Sequence, residues 1–293
     1  MLHQRARFTP LDGVLIIILA SLAGYMAYRI EAGLQYEWDW SVIPQYLVRR
    51  NQSGWWVPNV LLQGLLTTLR ISLWGTLIAT IIGTTMGIAR ASKSLFFRLI
   101  GGTYVELVRN LPPLVLVFIC YFFFSAQIIA AIGLEDAIRH APESVLGVLE
   151  FFFAPRAQLP SFLAALFTIA IYEGAYITEI VRAGVRSVDQ GQWEAAYVLG
   201  LSPWQTMRHV ILPLTIQRIL PPLAGQFIST IKDSAIVSVI SVQELTFQGL
   251  ELMASTYLTF EIWITILALY FVMTFSLSTA ARKLEAYLNR SIA

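Results

Sequence analysis

Residues 71–89 read ISLWGTLIATIIGTTMGIA, without one Asp, Glu, Lys or Arg. Crossing about 30 Å of hydrocarbon at 1.5 Å per residue takes about 20 residues, so a run of this length predicts a membrane-spanning helix. Asn110 to Leu134 and Ile262 to Ala281 are equally charge-free, and Leu11 to Tyr28 carries only Asp12 at its edge. Two further runs contain charges, Pro160 to Val181 with Glu173 and Glu179, and Leu220 to Val242 with Lys232 and Asp233. The pattern predicts an all-α polytopic membrane protein, one domain over residues 1–293, with spans at about 11–28, 64–89, 110–132, 160–181, 220–242 and 262–281.

Composition agrees. Hydrophobic residues make up 57% of the 293-residue chain and charged residues only 13%, against roughly 25% charged in an average soluble domain. A net charge of +2, with the basic residues scattered, excludes a nucleic-acid surface. Cys120 is the only cysteine and can close no internal disulfide. The first apolar run follows Arg5 and Arg7 and could be read as a signal peptide, but no small-x-small cleavage site sits cleanly after it, so it is read as a span.

Six spans place both termini on one side, and Lys and Arg choose which. Arg5, Arg7, Arg90, Lys93, Arg98, Arg182, Arg186, Arg208, Arg218, Arg282, Lys283 and Arg290 fall on the side of the termini; Arg29, Arg49, Arg50, Arg139 and Arg156 fall opposite. Twelve against five predicts cytoplasmic termini. Residues 182–213 then form a cytoplasmic loop. Residues 29–58 and 133–159, with Glu31, Trp38, Trp40, Glu135 and Glu143, form external, interface-hugging loops.

Within the second span Gly75, Ala79, Gly83 and Gly87 recur every four residues and line one helix face, where another backbone can approach closely. The stripe fits a subunit interface and ordinary interior packing equally well. In the fifth span Gln226, Ser229, Thr230, Asp233 and Ser234 follow spacings of three and four and form one polar flank. A Lys or Asp at a helix centre costs about 2.5 to 3.5 kcal/mol on insertion scales, so Lys232 and Asp233 need partners or water. They either line a translocation path or hold helices together, and Glu173 permits the same two readings. Glu179 lies where Arg182 or Arg186 can pair with it, and Glu106 and Arg109 read as a surface pair.

The predicted cytoplasmic loop contains DQGQWEAAYVLGLSPWQTMRHVILP, residues 189–213. Small Ala195 and Ala196 on a short helix, followed by Gly200 able to reverse the chain, make a compact knob suited to docking.

This spacing resembles the EAA motif of the permease subunits of bacterial ABC importers: Glu-Ala-Ala, three residues, Gly, nine residues, Ile-x-Leu-Pro. Glu194, Ala195, Ala196, Gly200, Leu212 and Pro213 match, and Val210 stands in place of Ile. Ala175 to Ala196, Arg109-Asn110-Leu111-Pro112-Pro113, and the stretch from Lys232-Asp233-Ser234 through Ser241-Val242-Gln243-Glu244-Leu245 resemble the polar amino-acid branch of that family, which serves histidine, glutamine, glutamate or general L-amino acids. The resemblance covers roughly residues 60 to 285. It implies a type I importer fold with five core helices, here plus one extra N-terminal helix, in a bacterial inner membrane. It also implies partners: a cytoplasmic ABC ATPase dimer seating the coupling loop, a second permease subunit, identical or paralogous, and an external solute-binding protein. ATP and Mg would reside on the ATPase, with no cofactor on this chain.

No catalytic or metal-binding set is legible. Lys93, Lys232 and Lys283 are the only lysines and none follows a glycine, so no P-loop exists. His3, His140 and His209 lie far apart, and no Gly-x-Ser-x-Gly elbow occurs. The chain is therefore read as a non-enzymatic permease subunit. The candidate path residues are Glu173, Gln226, Ser229, Lys232 and Asp233. An ion-coupled secondary amino-acid transporter, using Asp233 or Glu173 near the midplane, is the alternative, but the inverted repeat of that class is missing. A non-transporting scaffold leaves the knob and polar flank unexplained.

The sidedness has a direct test. A cysteine at Ser144 should react with a membrane-impermeant thiol reagent in intact spheroplasts, whereas one at Gln192 should react only after the cytoplasmic face is opened. The reversed pattern overturns the orientation.

Overall fold

The structure, a computed structural model, describes residues 10–33, 36–129 and 131–290. Arg5 and Arg7 of the charge count lie outside these. The chain divides after Trp40 into two compact units. The first contains the apolar helix α1 (Pro10–Gly33), and in the segment after it Trp38 stacks on Trp40 at 5.9 Å between ring centroids.

The second unit opens with α2 (Ile43–Leu47) and a two-stranded antiparallel hairpin, β1 (Val48–Arg50) and β2 (Trp56–Pro58). Among the described residues the following α-helices come next: α3 (Val60–Ala91), α4 (Leu95–Asn110), α5 (Pro113–Phe123), α6 (Leu134–Arg139), α7 (Glu143–Phe152), α8 (Leu159–Ser187), α9 (Gln190–Val198), α10 (Pro203–Thr206), α11 (Leu212–Asp233), α12 (Leu245–Thr256) and α13 (Thr259–Arg290). The all-α expectation holds apart from this hairpin, which lies within the stretch 29–58 expected to be an external, interface-hugging loop.

Among the described residues four helical stretches are long and apolar enough to cross a membrane: Val60–Ala91, Arg156–Ser187, Pro203–Ile240 and Thr259–Lys283. A fifth arises if Leu95–Asn110 and Pro113–Ile129, bent 112° to each other, count as one span. The bend falls where Leu111 is extended (φ −87°, ψ 143°), because the proline after it disfavours helical backbone and Pro112 has no N–H to continue the ladder. The apolar helix Pro10–Met26 is shorter. The described residues thus hold four core spans, five with the bent pair, and an apolar N-terminal helix shorter than the span expected at 11–28.

The helices outrun the charge-free segments. α8 continues to Ser187, beyond the expected end at 181, because its polar last turns stay on the core: Val181 and Val185 are buried with Ile177. The fifth span begins at Pro203 rather than 220, and after Asp233 it tightens into a 3₁₀ segment, Ser234–Ile240, closed by Ser241 in the left-handed region (φ 60°). Most of residues 182–213 is accordingly helical rather than loop.

The small-residue stripe decides the packing. Gly75, Ala79, Gly83 and Gly87 are all buried, and the face they form lies against α8 of the same chain. A β-carbon on Gly83 would lie 2.5 Å from Cγ2 of Ile177 and 3.0 Å from the carbonyl oxygen of Gly174; one on Gly87 would lie 2.7 Å from Cβ of Val181. Of the two readings left open by the sequence, interior packing is the one observed. Around this pair, Ile71, Val117, Phe162, Leu166, Ile169 and Val237 form one core, and Ala79, Ile177, Val181, Ile211 and Ile219 another.

Polar knots fix the remaining helices. Glu244, fully buried, caps α12 by accepting from the N–H groups of Thr246 (2.9 Å) and Phe247 (2.7 Å), and also accepts from the Tyr270 hydroxyl of α13 (3.0 Å). The α3 hydroxyl of Thr68 accepts from the N–H of Leu245 (3.1 Å), so three helices meet at one carboxylate. Trp74 Nε1 donates to the Phe152 carbonyl (2.9 Å), tying α3 to the end of α7.

The close approach predicts a specific cost. Gly83→Ala should lower stability by about 1 to 3 kcal/mol through overpacking, read as a fall in Tm of the detergent-solubilised protein. Adding Ile177→Ala should recover part of the loss. Gly102→Ala, where no atom lies within 4 Å, should leave Tm unchanged or raise it. An unchanged Tm for Gly83→Ala would contradict the packing described.

Candidate functional site

Two places combine unusual geometry with exposed or uncompensated groups. The first is the turn from α9 into α10. Val198 is the last helical residue and Gly200 adopts φ +70°. The N–H of Leu201 donates to the Ala196 carbonyl (3.1 Å) and that of Gly200 to the Tyr197 carbonyl (2.9 Å), the paired bonds of a Schellman cap. The chain restarts at once. Ser202 Oγ accepts from the Gln205 N–H (3.3 Å), the Gln205 side chain accepts from the Ser202 N–H (2.9 Å), and Pro203 fills the first turn. A wide π-helical turn, Met207–Ile211, lies just before Pro213, which has no N–H to offer the helix.

This closed turn is braced from behind and bare in front. Arg218 of α11 donates to the Ser187 carbonyl and to Ser187 Oγ (3.1 Å) and lies 4.0 Å from Asp189. Trp193 packs on the core around Val185 and Ile211. Glu194 and Ala195 are exposed, Glu194 accepting from Gln190 Nε2 (2.9 Å), and Pro213 is exposed too. Ala196 is buried, so it packs beneath the knob instead of facing outward. Tyr197, Val198, Leu199 and Trp204 are 82%, 84%, 76% and 69% exposed. These four were absent from the residues read from the sequence, although all lie within the 189–213 stretch. The signal available was their apolar character between Ala196 and Gln205, where a purely hydrophilic turn would be expected.

The second place is where α8 and α11 meet. Glu173 is fully buried; its Oε2 accepts from Gln226 Nε2 (2.6 Å), while its Oε1 has no hydrogen-bond partner. Thr230 is buried and donates to the Gln226 carbonyl (2.9 Å), and Ser229 is half-buried. Asp233 is half-buried and interacts with Glu173, whereas Lys232 is exposed. The adjacent charges point apart as successive helical positions must. Only Asp233 of the two joins the Glu173 cluster.

The structure adds residues to this flank. The Tyr172 and Tyr176 hydroxyls lie 3.2 Å apart, and the Arg109 guanidinium sits 5.1 Å from the centroid of the Tyr176 ring. Arg109 was expected to pair with Glu106. Instead Glu106 accepts from Asn110 (3.0 Å) and lies 3.6 Å from Arg90, leaving Arg109 to the aromatic ring at the α4 end. Glu179, by contrast, is held by Arg90 and Arg182 (2.7 Å), and Arg186 takes no part. No group of three or more His, Cys, Asp or Glu placed to hold a metal occurs among the described residues.

Residues 75–292 match the family described as binding-protein-dependent transport system inner membrane component. The glutamine transport system permease protein GlnP of Escherichia coli K12 is 34% identical over 249 residues, 85% of this chain and 97% of that protein. The nopaline transport system permease protein NocQ of Agrobacterium fabrum is 27% identical over 84% of this chain and 97% of its own length. Among solved structures, an amino acid ABC transporter crystallised with histidines matches with a TM-score of 0.61 at 32% identity, over 78% of this chain and 94% of that one. The MetNI methionine ABC transporter, at 16% identity and a TM-score of 0.61, shares the fold. This chain belongs to the binding-protein-dependent transport system inner membrane component family, and it is a multi-pass membrane permease subunit of the ABC importer type.

Proposed function

We propose, with membership of that family as the premise, that this permease subunit carries polar or general L-amino acids inward by alternating access, driven by ATP hydrolysed on a partner. The observation that carries the coupling half of the proposal is the knob. A rigid turn closed by a Schellman cap and a capping box presents four exposed apolar side chains, Tyr197, Val198, Leu199 and Trp204, with Glu194 beside them. A patch of this kind favours a protein groove, here that of a cytoplasmic ABC ATPase dimer. Glu194, Ala195, Gly200 and Pro213 shape or touch the contact, and Ala196 supports it from below. ATP and Mg belong to that partner, because this chain has no P-loop lysine. The orientation that puts the knob in the cytoplasm also puts both termini there.

The substrate half rests on the α8–α11 flank and on the names of the relatives. A zwitterion crossing hydrocarbon needs partners for its carboxylate and its ammonium. Glu173, Gln226, Ser229 and Asp233 supply acceptors and donors on one face, Arg109 supplies a cation on the neighbouring helix, and Lys232 stands at the rim. We assign these residues to the translocation path, completed by a second permease subunit and fed by an external solute-binding protein.

Two experiments test the halves separately. A β-branched side chain is strongly disfavoured at positive φ, so Gly200→Val should insert normally yet lose uptake and co-purification of the ATPase, and Glu194→Lys should lower both. Normal uptake by Gly200→Val sinks the coupling assignment. Uptake should also stop with vanadate and persist with a proton uncoupler; the opposite result would favour ion coupling.

On the path, Asp233→Asn and Lys232→Met should each assemble with the ATPase while uptake falls at least tenfold, equivalent to about 1.4 kcal/mol at the limiting step. Wild-type rates in both would route the path elsewhere. Failure of both to assemble would make the pair structural.

A further inference from the structure

The hairpin before the first core span has no role in either site. Arg50 stands opposite Trp56, and Arg49 opposite Val57. Its turn is tightly made: Asn51 Oδ1 accepts from the N–H groups of Ser53 (3.0 Å) and Trp55 (2.9 Å), the Asn51 N–H donates to the Trp55 carbonyl (2.9 Å), and Gly54 supplies φ +79°. Its base is equally firm. The Asn59 N–H donates to the Leu47 carbonyl (2.8 Å), and Ile43 is buried beside Leu61, Leu245 and Ile262.

This rigid device holds its largest side chains outward. Trp55 is 74% and Trp56 63% exposed, and Arg49 and Arg50 are exposed as well. The Arg50 guanidinium lies 4.9 Å from the centroid of the Trp56 ring, and no ion pair among the described residues involves either arginine. Trp56 is only four residues before Val60, where a helix apolar enough to cross the membrane begins. At about 3.3 to 3.6 Å per extended residue the tether keeps the hairpin beside that end of the spanning helix, on the side of the boundary between hydrocarbon and water, whichever face of the membrane it occupies. Indole rings prefer that boundary, and a guanidinium can grip two phosphate oxygens at once.

We propose that the hairpin is a lipid-headgroup anchor. Trp55 and Trp56 seat in the interfacial layer, and Arg49 and Arg50 bind the phosphodiester groups of surrounding lipids, with anionic phosphatidylglycerol preferred over phosphatidylcholine. With no carboxylate among the described residues paired to either arginine, both guanidinium groups are open to phosphate, and the position beside a span supplies the phosphate layer. The anchor fixes the external or internal height of α3, the helix on which the core is built.

A spin label on Ser53→Cys in a Cys120→Ser background, in the complete transporter reconstituted in nanodiscs, reports the depth of the turn through its relative accessibility to oxygen and to a water-soluble nickel complex. In nanodiscs containing phosphatidylglycerol the label should read phosphate depth. Arg49→Gln with Arg50→Gln should shift it into water, and Arg49→Lys with Arg50→Lys should keep it in place. A label already in water in the otherwise unaltered chain overturns the proposal, and this reading stands even if the charge variants fail to assemble. An unchanged depth in the double Gln variant overturns it as well. So does shielding that arises only when the solute-binding protein is added, which would make the hairpin a protein-docking element.

Discussion

Everything in the core depends on how closely α3 and α8 approach. In lipid the hydrophobic effect does not drive one apolar helix onto another, so association rests on van der Waals contact, interhelical hydrogen bonds and lipid entropy. The stripe of Gly75, Ala79, Gly83 and Gly87 lets the β-branched side chains Ile169, Ile177 and Val181 of α8 sit directly on the α3 backbone. The neighbours then pack on this pair. Gly101 of α4 comes against the Met86 carbonyl of α3, and the Tyr104 hydroxyl donates to the Ile171 carbonyl of α8 (2.7 Å). α4 is thereby fixed to both members of the pair, and it delivers Arg109 to Tyr176.

Three acids of this scaffold show how burial separates structure from function. Glu179 is held by two arginines, and its charge is met locally. Glu244 is buried but has two backbone N–H groups and a tyrosine hydroxyl on its oxygens, so it serves as a helix cap and a joint. Glu173 accepts from a single side-chain amide on Oε2, while its Oε1 has no hydrogen-bond partner among the described residues and the acidic Asp233 stands beside it. Buried polar atoms are nearly always satisfied, and an exception calls for a partner outside the chain or a change of state. Glu173 is the acid that lies on the polar flank, next to the face where Lys232, Asp233 and Arg109 remain accessible.

The legible parts of the fold were those governed by strong local rules. Charge-free length located the spans, because hydrocarbon thickness fixes how many apolar residues a helix needs. The order Glu194, Ala195, Ala196 and Gly200 pointed to the turn, because glycine takes the left-handed conformation after a short helix at no steric cost, although Ser241 and Tyr257 adopt it here as well. Less legible were helix ends. α8 and the fifth span extend into polar sequence, since tertiary packing of Val185 and Ile211 keeps helical turns that hydropathy alone would end. The hairpin escaped because its strands are three residues each, too short for an alternating pattern to register. Arg109 was assigned to Glu106 by helical spacing; that spacing is real, but the Tyr176 ring on another helix attracts the guanidinium instead, and no single-helix rule contains that information.

The knob and the polar flank are mechanically one body. Arg218 of α11 grips Ser187 at the end of α8, and Ile219 and Ile211 share a core with Ile177, Val181 and Val185. Eight residues beyond Arg218, Gln226 of the same helix donates to Glu173 of α8. A push on Tyr197, Val198 and Leu199 is therefore delivered to the ends of two helices that are bonded again at the flank. Such a pair cannot easily slide against itself, because sliding would strand the Glu173 carboxylate and open the packing at Gly184, where a β-carbon would already clash with Ile219. Motion imposed at the knob must then tilt α8 and α11 together, and α3 with them through the glycine stripe. What can change is the contact of that body with α5, which is separated from α4 by the break at Pro112, and with whatever faces Lys232 across the exposed flank.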